Sequence, residues 1–169
     1  MKLSEKQLQI ITETVAKVLA EQKQKEEEDK KDKRYLNTVL LLKNYRGLVV
    51  HCENVKGELW EIDNKSIQDL DLEEITLESI ESIKKSRKKT VAMVMFIQSK
   101  VEAYKSMCTE DELIRYRVLE KKYISPLKMS NRQIAESENI EKTAFYKYLK
   151  QATEDIQVLF FGVDAISFK

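Results

Sequence analysis

A short run of lysines and tyrosines near the C-terminal end of the chain has the residue types and the spacing needed to bind DNA. Residues 142–150 read KTAFYKYLK. On a helix, five of these side chains share one face: Lys142, Thr143, Tyr146, Lys147 and Lys150. Ammonium groups neutralise phosphates, and residues near the start of a helix in the major groove contact base edges. We therefore expect Thr143 and Tyr146 to contact bases or sugars, and the lysines to contact phosphates.

Three polar residues at the start of the preceding helix extend this candidate site: Ser130, Asn131 and Arg132. Backbone N–H groups at a helix start attract anions, and a guanidinium can hydrogen-bond a phosphate oxygen. From Lys121 to Ala152, seven basic residues stand against three acidic ones, which gives this part of the chain a charge of +4. The charge of the segment therefore favours double-stranded DNA as the partner.

A helix-turn-helix would hold these side chains in place, and the sequence meets its local demands. Ser130 and Gln133 have the spacing of a capping box, which starts the first helix. Ala135 is small where the two helices must cross closely. Asn139, four residues later, tolerates the positive φ that the turn needs. Ile140 follows at once and is expected to fill the gap behind the turn.

The inward side of the same two helices is apolar. We expect these residues to face the core: Ile134, Phe145, Leu149, Ala152 and Ile156. An ordinary pair of amphipathic helices in a bundle is the alternative, and Glu141 places an anion close to where DNA would lie. That carboxylate can also act on the dipole of the second helix. The cap, the asparagine at the turn and the outward lysines favour the DNA-binding interpretation.

The sequence of this region resembles sigma factor region 4, and more closely the ArpU-type late transcriptional regulators of phages and prophages of Gram-positive bacteria. The stretches LIRYRVLEKKYISP and NRQIAESENIEKTAFYKYLKQATEDIQVLFFGVDAI carry the resemblance, and LLKNYRGLVVHCEN looks like the stretch before the acidic connector of those proteins. The resemblance implies a sigma-like helix-turn-helix and a late-gene activator that acts at promoters with host RNA polymerase. At Ala144 and Tyr148 the chain departs from the expected pattern.

Composition and charge predict how the rest of the chain is organised. Of 169 residues, 42% are hydrophobic and 35% charged, with three glycines and one proline, so we expect an all-α fold. We divide it into an N-terminal helical interaction region at 1–54, an acidic connector at 55–81 and a DNA-binding domain of four helices at 82–169. Residues 53–81 carry a charge of −8, and residues 82–109 carry +6.

For two apolar segments, the sequence does not decide whether they are buried in the fold. A seam of four residues, Leu8, Ile11, Val15 and Val18, has coiled-coil spacing and either packs internally or mediates self-association into a homo-oligomer. The charged stretch 21–34 that follows is either a solvated helix or a frayed joint, and Gly47 could bend or end the next helix. The tail QVLFFGVDAISFK either packs on the bundle formed by Val94, Ile97 and Tyr123 or forms an interface.

Other chemistry lacks the residues that it needs. His51, Cys52 and Cys108 fall one ligand short of a zinc site, no base accompanies a nucleophile, and three glycines cannot build a phosphate loop. We expect no enzyme, no metal and no cofactor. Without a leader or an apolar run long enough for a membrane, we expect the cytoplasm of a bacterial host. A small terminase subunit, or a sigma-like protein-interaction module that never meets DNA, stays open as the alternative.

Overall fold

A computed structural model describes residues 4–53 and 71–162 of the chain, and in these ranges the fold is all-α, as predicted. The described elements are α1 (Glu5–Glu53), a 3₁₀ turn (Leu72–Glu74), α2 (Leu77–Lys85), α3 (Arg87–Met107), α4 (Leu113–Leu119) with a π turn (Glu120–Ile124), α5 (Asn131–Ser137) and α6 (Lys142–Phe161). No helix in the described part of the chain combines the length and the apolar character that crossing a membrane requires.

Helix α1 is continuous over 49 residues, so the charged stretch 21–34 is a solvated helix. Lysine, glutamate and glutamine are strong helix formers, and pairs such as Gln24 with Glu28, 3.3 Å apart, bridge successive turns. The helix also runs through Gly47, which is exposed. Its neighbours Tyr45 and Leu48 are buried, and their packing offsets the roughly 1 kcal/mol that glycine costs inside a helix.

The C-terminal half of α1 packs into the same core as the later helices. Leu41 and Leu42 of α1, Ile97 of α3 and Ile156 of α6 are fully buried in one apolar cluster. Ile80 of α2 joins this cluster, although it lies in the segment predicted to be an acidic connector. The division of the chain into an N-terminal region, a connector and a DNA-binding domain stays a prediction. Its second boundary, between residues 81 and 82, lies inside α2.

The end of α6 packs inward. Phe160 is buried in the main core, and its ring centroid lies 5.3 Å from that of Phe96. Leu159 and Phe161 are partly buried against the same cluster. This part of the tail therefore takes the packed alternative, while residues 163–169 lie outside the described ranges.

The N-terminal half of α1 extends away from the core. Every residue from Ser4 to Lys33 is exposed, including the four apolar residues of the seam. Contact with the body of the protein begins where Gln157 of α6 donates a hydrogen bond to the carbonyl of Lys31, at 3.3 Å. The seam therefore does not pack against the described part of the chain.

Candidate nucleic-acid interface

Helices α5 and α6 form the predicted helix-turn-helix, and its first helix has the predicted cap. The hydroxyl of Ser130 accepts a hydrogen bond from the N–H of Gln133 at 3.2 Å, and the Gln133 side chain accepts one from the N–H of Ser130 at 2.8 Å. These reciprocal bonds satisfy two backbone donors that would otherwise lack partners. Ser130 therefore has a structural function at the start of α5.

The turn between the two helices depends on Asn139. Its φ of 54° makes it the one non-glycine residue with positive φ in the described ranges, as predicted. The left-handed conformation lets the N–H of Ile140 reach back to the carbonyl of Ala135 at 3.0 Å, which closes the end of α5. Asparagine tolerates this conformation better than most residues that carry a Cβ.

A small core of its own holds the two helices together. Ile134, Ala135 and Phe145 are buried in it, as predicted, and Ile140 and Leu149 pack against it partly buried. Val118 of α4 is also fully buried there, which the sequence pattern did not predict. Two further residues at the edge are Met129 and Tyr148. Partial burial of Tyr148 accounts for an aromatic side chain at a position where we expected a polar one.

The five side chains predicted to contact DNA all lie exposed on the first nine residues of α6, and we call them the α6 face: Lys142, Thr143, Tyr146, Lys147 and Lys150. Within the described ranges, no carboxylate lies within ion-pairing distance of its three lysines. One and two turns further along the same stripe, Thr153 and Gln157 are buried. The α6 face therefore ends where α1 packs against α6.

Asn131 links the start of α5 to the α6 face. Its amide nitrogen donates a hydrogen bond to the hydroxyl oxygen of Tyr146 at 3.3 Å, and its amide oxygen accepts one from the Lys122 ammonium at 2.5 Å. Arg132 is 88% exposed and pairs with Glu136 at 2.7 Å, one turn along α5. The structure thus joins Asn131 to Tyr146, while Arg132 lies in solvent with a carboxylate partner.

A group of basic residues beside Asn131 extends the site beyond the prediction, and we call it the Lys122 cluster: Lys43, Arg46, Lys122 and Lys128. Burial lowers the pKa of Lys122, and the positive charges of Arg46, Lys43 and Lys128 lower it further, while Tyr146 acts in the opposite direction. An anionic ligand would offset the positive charges that lower the pKa of Lys122. Because Lys43 and Arg46 belong to α1, only the packing of α1 brings them here.

Arg46 fixes α1 against the turn that precedes the helix-turn-helix. Its Nε donates to the carbonyl of Ser125 at 2.6 Å, and its Nη2 donates to the carbonyl of Lys121 at 3.0 Å. Ser125 is the residue that ends the π turn, and the Lys121 carbonyl lies five residues before Pro126, which has no N–H to donate. The guanidinium therefore satisfies carbonyls that lack a helical partner and sets the position of the Lys122 cluster.

Glu138 fastens the turn to α4. Its side chain is 6% exposed and pairs with Arg117 at 2.8 Å and with Lys121 at 2.5 Å. Burial raises the pKa of the Glu138 carboxyl, but the hydrogen bonds and charges of Lys121 and Arg117 lower it by more, so the pKa lies below its ordinary value. The Glu138 carboxylate thus offsets one of the two positive charges that Arg117 and Lys121 bring to the site.

Comparison of the chain with protein-family models, with curated proteins and with solved structures finds no match in any of the three. The resemblance to ArpU-type regulators therefore remains an expectation, which depends on residues 41–54, 113–126 and 131–166.

Proposed function

We propose that this protein regulates transcription by binding promoter DNA through the α6 face, as a phage or prophage late-gene activator that acts with host RNA polymerase. The observation that carries the proposal is an exposed set of three lysines, a threonine and a tyrosine on the second helix of a helix-turn-helix. Within the described ranges no ion pair occupies those lysines. The three lysines lie away from the core, since the core residues are on the opposite side of α6.

The arrangement of the site favours a particular mode of binding. The start of α6 would enter the major groove, where Thr143 and Tyr146 meet base edges or sugars. Lys147 and Lys150 would then contact the phosphates of one strand, and the Lys122 cluster would contact those of the other. Asn131 holds the Tyr146 hydroxyl in position, which reduces the side-chain freedom lost on binding.

The test is selection of bound duplexes from a random library, followed by footprinting on the selected site with and without RNA polymerase. We expect a defined footprint that disappears in the Lys147→Glu/Lys150→Glu variant. The matched control is Lys85→Glu/Lys88→Glu, which changes the net charge equally at two exposed residues of α2 and α3. Equal loss in both variants would mean that binding is unspecific. Capture of polymerase by a protein without DNA affinity would support the interaction module instead.

A further inference from the structure

We propose that the exposed N-terminal half of α1 pairs with a second copy of the chain as an antiparallel two-helix coiled coil. The apolar seam of one molecule is therefore covered by the same seam of another molecule. This inference does not depend on the proposed function, because none of its residues belongs to the α6 face.

The seam needs a partner. Leu8, Ile11, Val15 and Val18 recur in steps of three and four residues, and each is 47–55% exposed. They lie on an extension of about 30 exposed residues, for which the described part of the chain provides no covering surface. Helices in proteins gain most of their stability from the packing of an apolar face, and exposed apolar stripes mark association surfaces. A second helix would stabilise the extension and cover the seam at once.

The charges beyond the seam exclude the parallel arrangement. The seam positions continue as Gln22, Lys25, Asp29 and Asp32. In a parallel pair in register, Lys25 would face Lys25 of the second copy, and each aspartate would face its own equivalent. Like charges at these central positions destabilise a coiled coil. Glu21 and Glu26, which flank them, would also repel across the interface.

The antiparallel arrangement avoids these contacts. When Leu8 packs against Val18 of the second copy, Ile11 packs against Val15, and Ser4 lies opposite Gln22. The overlap then covers residues 4–22, and each charged stretch extends past the end of the other helix. On the flanks, Glu21 meets Gln7 and Glu5 meets Leu19, so no like charges oppose each other. All four apolar layers are thus retained without repulsion.

The size of the contact sets the expected strength. Two helices of 19 residues overlap over about 28 Å and bury roughly 1,000 Å² in total, which is at the low end for specific interfaces. We therefore expect a monomer–dimer equilibrium in the micromolar range rather than a permanent dimer.

Sedimentation equilibrium on the full chain tests the interface. Ile10 and Ile11 are adjacent, and both are exposed, but only Ile11 lies on the seam. Ile11→Asp should weaken dimerisation more than about 100-fold, because the dimer would hold two carboxylates in apolar layers. Ile10→Asp carries the same substitution about 100° around the helix and should leave the equilibrium unchanged. Equal effects of the two substitutions, a wild-type chain that stays monomeric, or ring-sized oligomers would overturn the proposal.

Disulfide exchange tests the direction. In a Cys52→Ala/Cys108→Ala background, the Leu8→Cys and Val18→Cys variants are mixed and equilibrated with glutathione. The antiparallel pair predicts that disulfides between the two variants predominate, with at least a fivefold excess over those within each variant. A predominance of disulfides within each variant would show a parallel pair and overturn the antiparallel assignment.

Discussion

Glu138 offers the sharpest stability prediction, because its buried carboxylate joins the turn of the helix-turn-helix to α4. Glu138→Gln keeps the shape of the side chain and removes its charge. It replaces two charge-assisted hydrogen bonds, to Arg117 and Lys121, with at most one neutral acceptor. Because Arg117 is 47% exposed and Lys121 is 26% exposed, water can solvate both cations in the variant. The cost is therefore below that of breaking a fully buried pair.

We expect Glu138→Gln to lower the free energy of unfolding by about 2 kcal/mol. For a protein of this size, that corresponds to a decrease of about 4–8 °C in the melting temperature. The matched control is Glu136→Gln, because Glu136 lies two residues before Glu138 and forms an exposed pair with Arg132. Such a surface pair contributes less than about 1 kcal/mol. Thermal unfolding followed by circular dichroism measures both variants.

The same prediction has a pH dependence with a defined sign. The pKa of Glu138 is lower in the folded protein than its ordinary value of 4.5. Its stabilisation is thus fully present above the unfolded-state pKa and is lost as the pH falls through the folded-state pKa. The difference in melting temperature between wild type and Glu138→Gln should be constant near neutral pH and shrink below about pH 4.5. Equal destabilisation by Glu136→Gln, or a difference that does not change on acidification, would refute this reasoning.

Two further predictions concern the turn and the Lys122 cluster. Asn139→Val should lower the free energy of unfolding by about 1–2 kcal/mol, because a β-branched residue resists positive φ. Asn139→Gly should stay within about 0.5 kcal/mol of wild type. Urea denaturation measures both variants, and equal losses of stability would contradict this explanation of the turn. Lys43→Gln should weaken DNA binding and reduce the magnitude of the slope of log K against log salt by about one. The melting temperature should not fall, because the substitution removes a repulsion acting on Lys122. Lower thermal stability with unchanged DNA affinity would instead show that Lys43 has a merely structural function.

The features that the sequence predicted well are those whose causes are local. Three such features are the cap at Ser130, the positive φ of Asn139 and the burial of Phe145. Each depends on residues that lie no more than about two helical turns away. The exposure of the α6 face follows in turn, because the apolar residues of α6 define its opposite side. The all-α fold itself follows from a composition poor in glycine, proline and β-branched runs.

The features that it did not predict depend on contacts between distant parts of the chain. Lys43 approaches Lys122 only because α1 packs beside the π turn, and Arg46 bonds to a carbonyl 79 residues away. In the sequence, Glu138 is one acidic residue among basic ones, and nothing there indicates that it is buried between Arg117 and Lys121. The continuity of α1 was hidden as well, because its charged stretch has no apolar periodicity.

The most direct test of DNA binding through the α6 face is the salt dependence of affinity for the selected duplex, measured by fluorescence anisotropy. For Lys147→Glu/Lys150→Glu, we expect affinity near physiological salt to fall by at least about 100-fold. The slope of log K against log salt, which is negative, should become smaller in magnitude by about two. For Lys85→Glu/Lys88→Glu, we expect the slope to stay within about 0.5 of wild type. Unchanged affinity in the first variant, or equal losses in both, would contradict the assignment of DNA binding to this face.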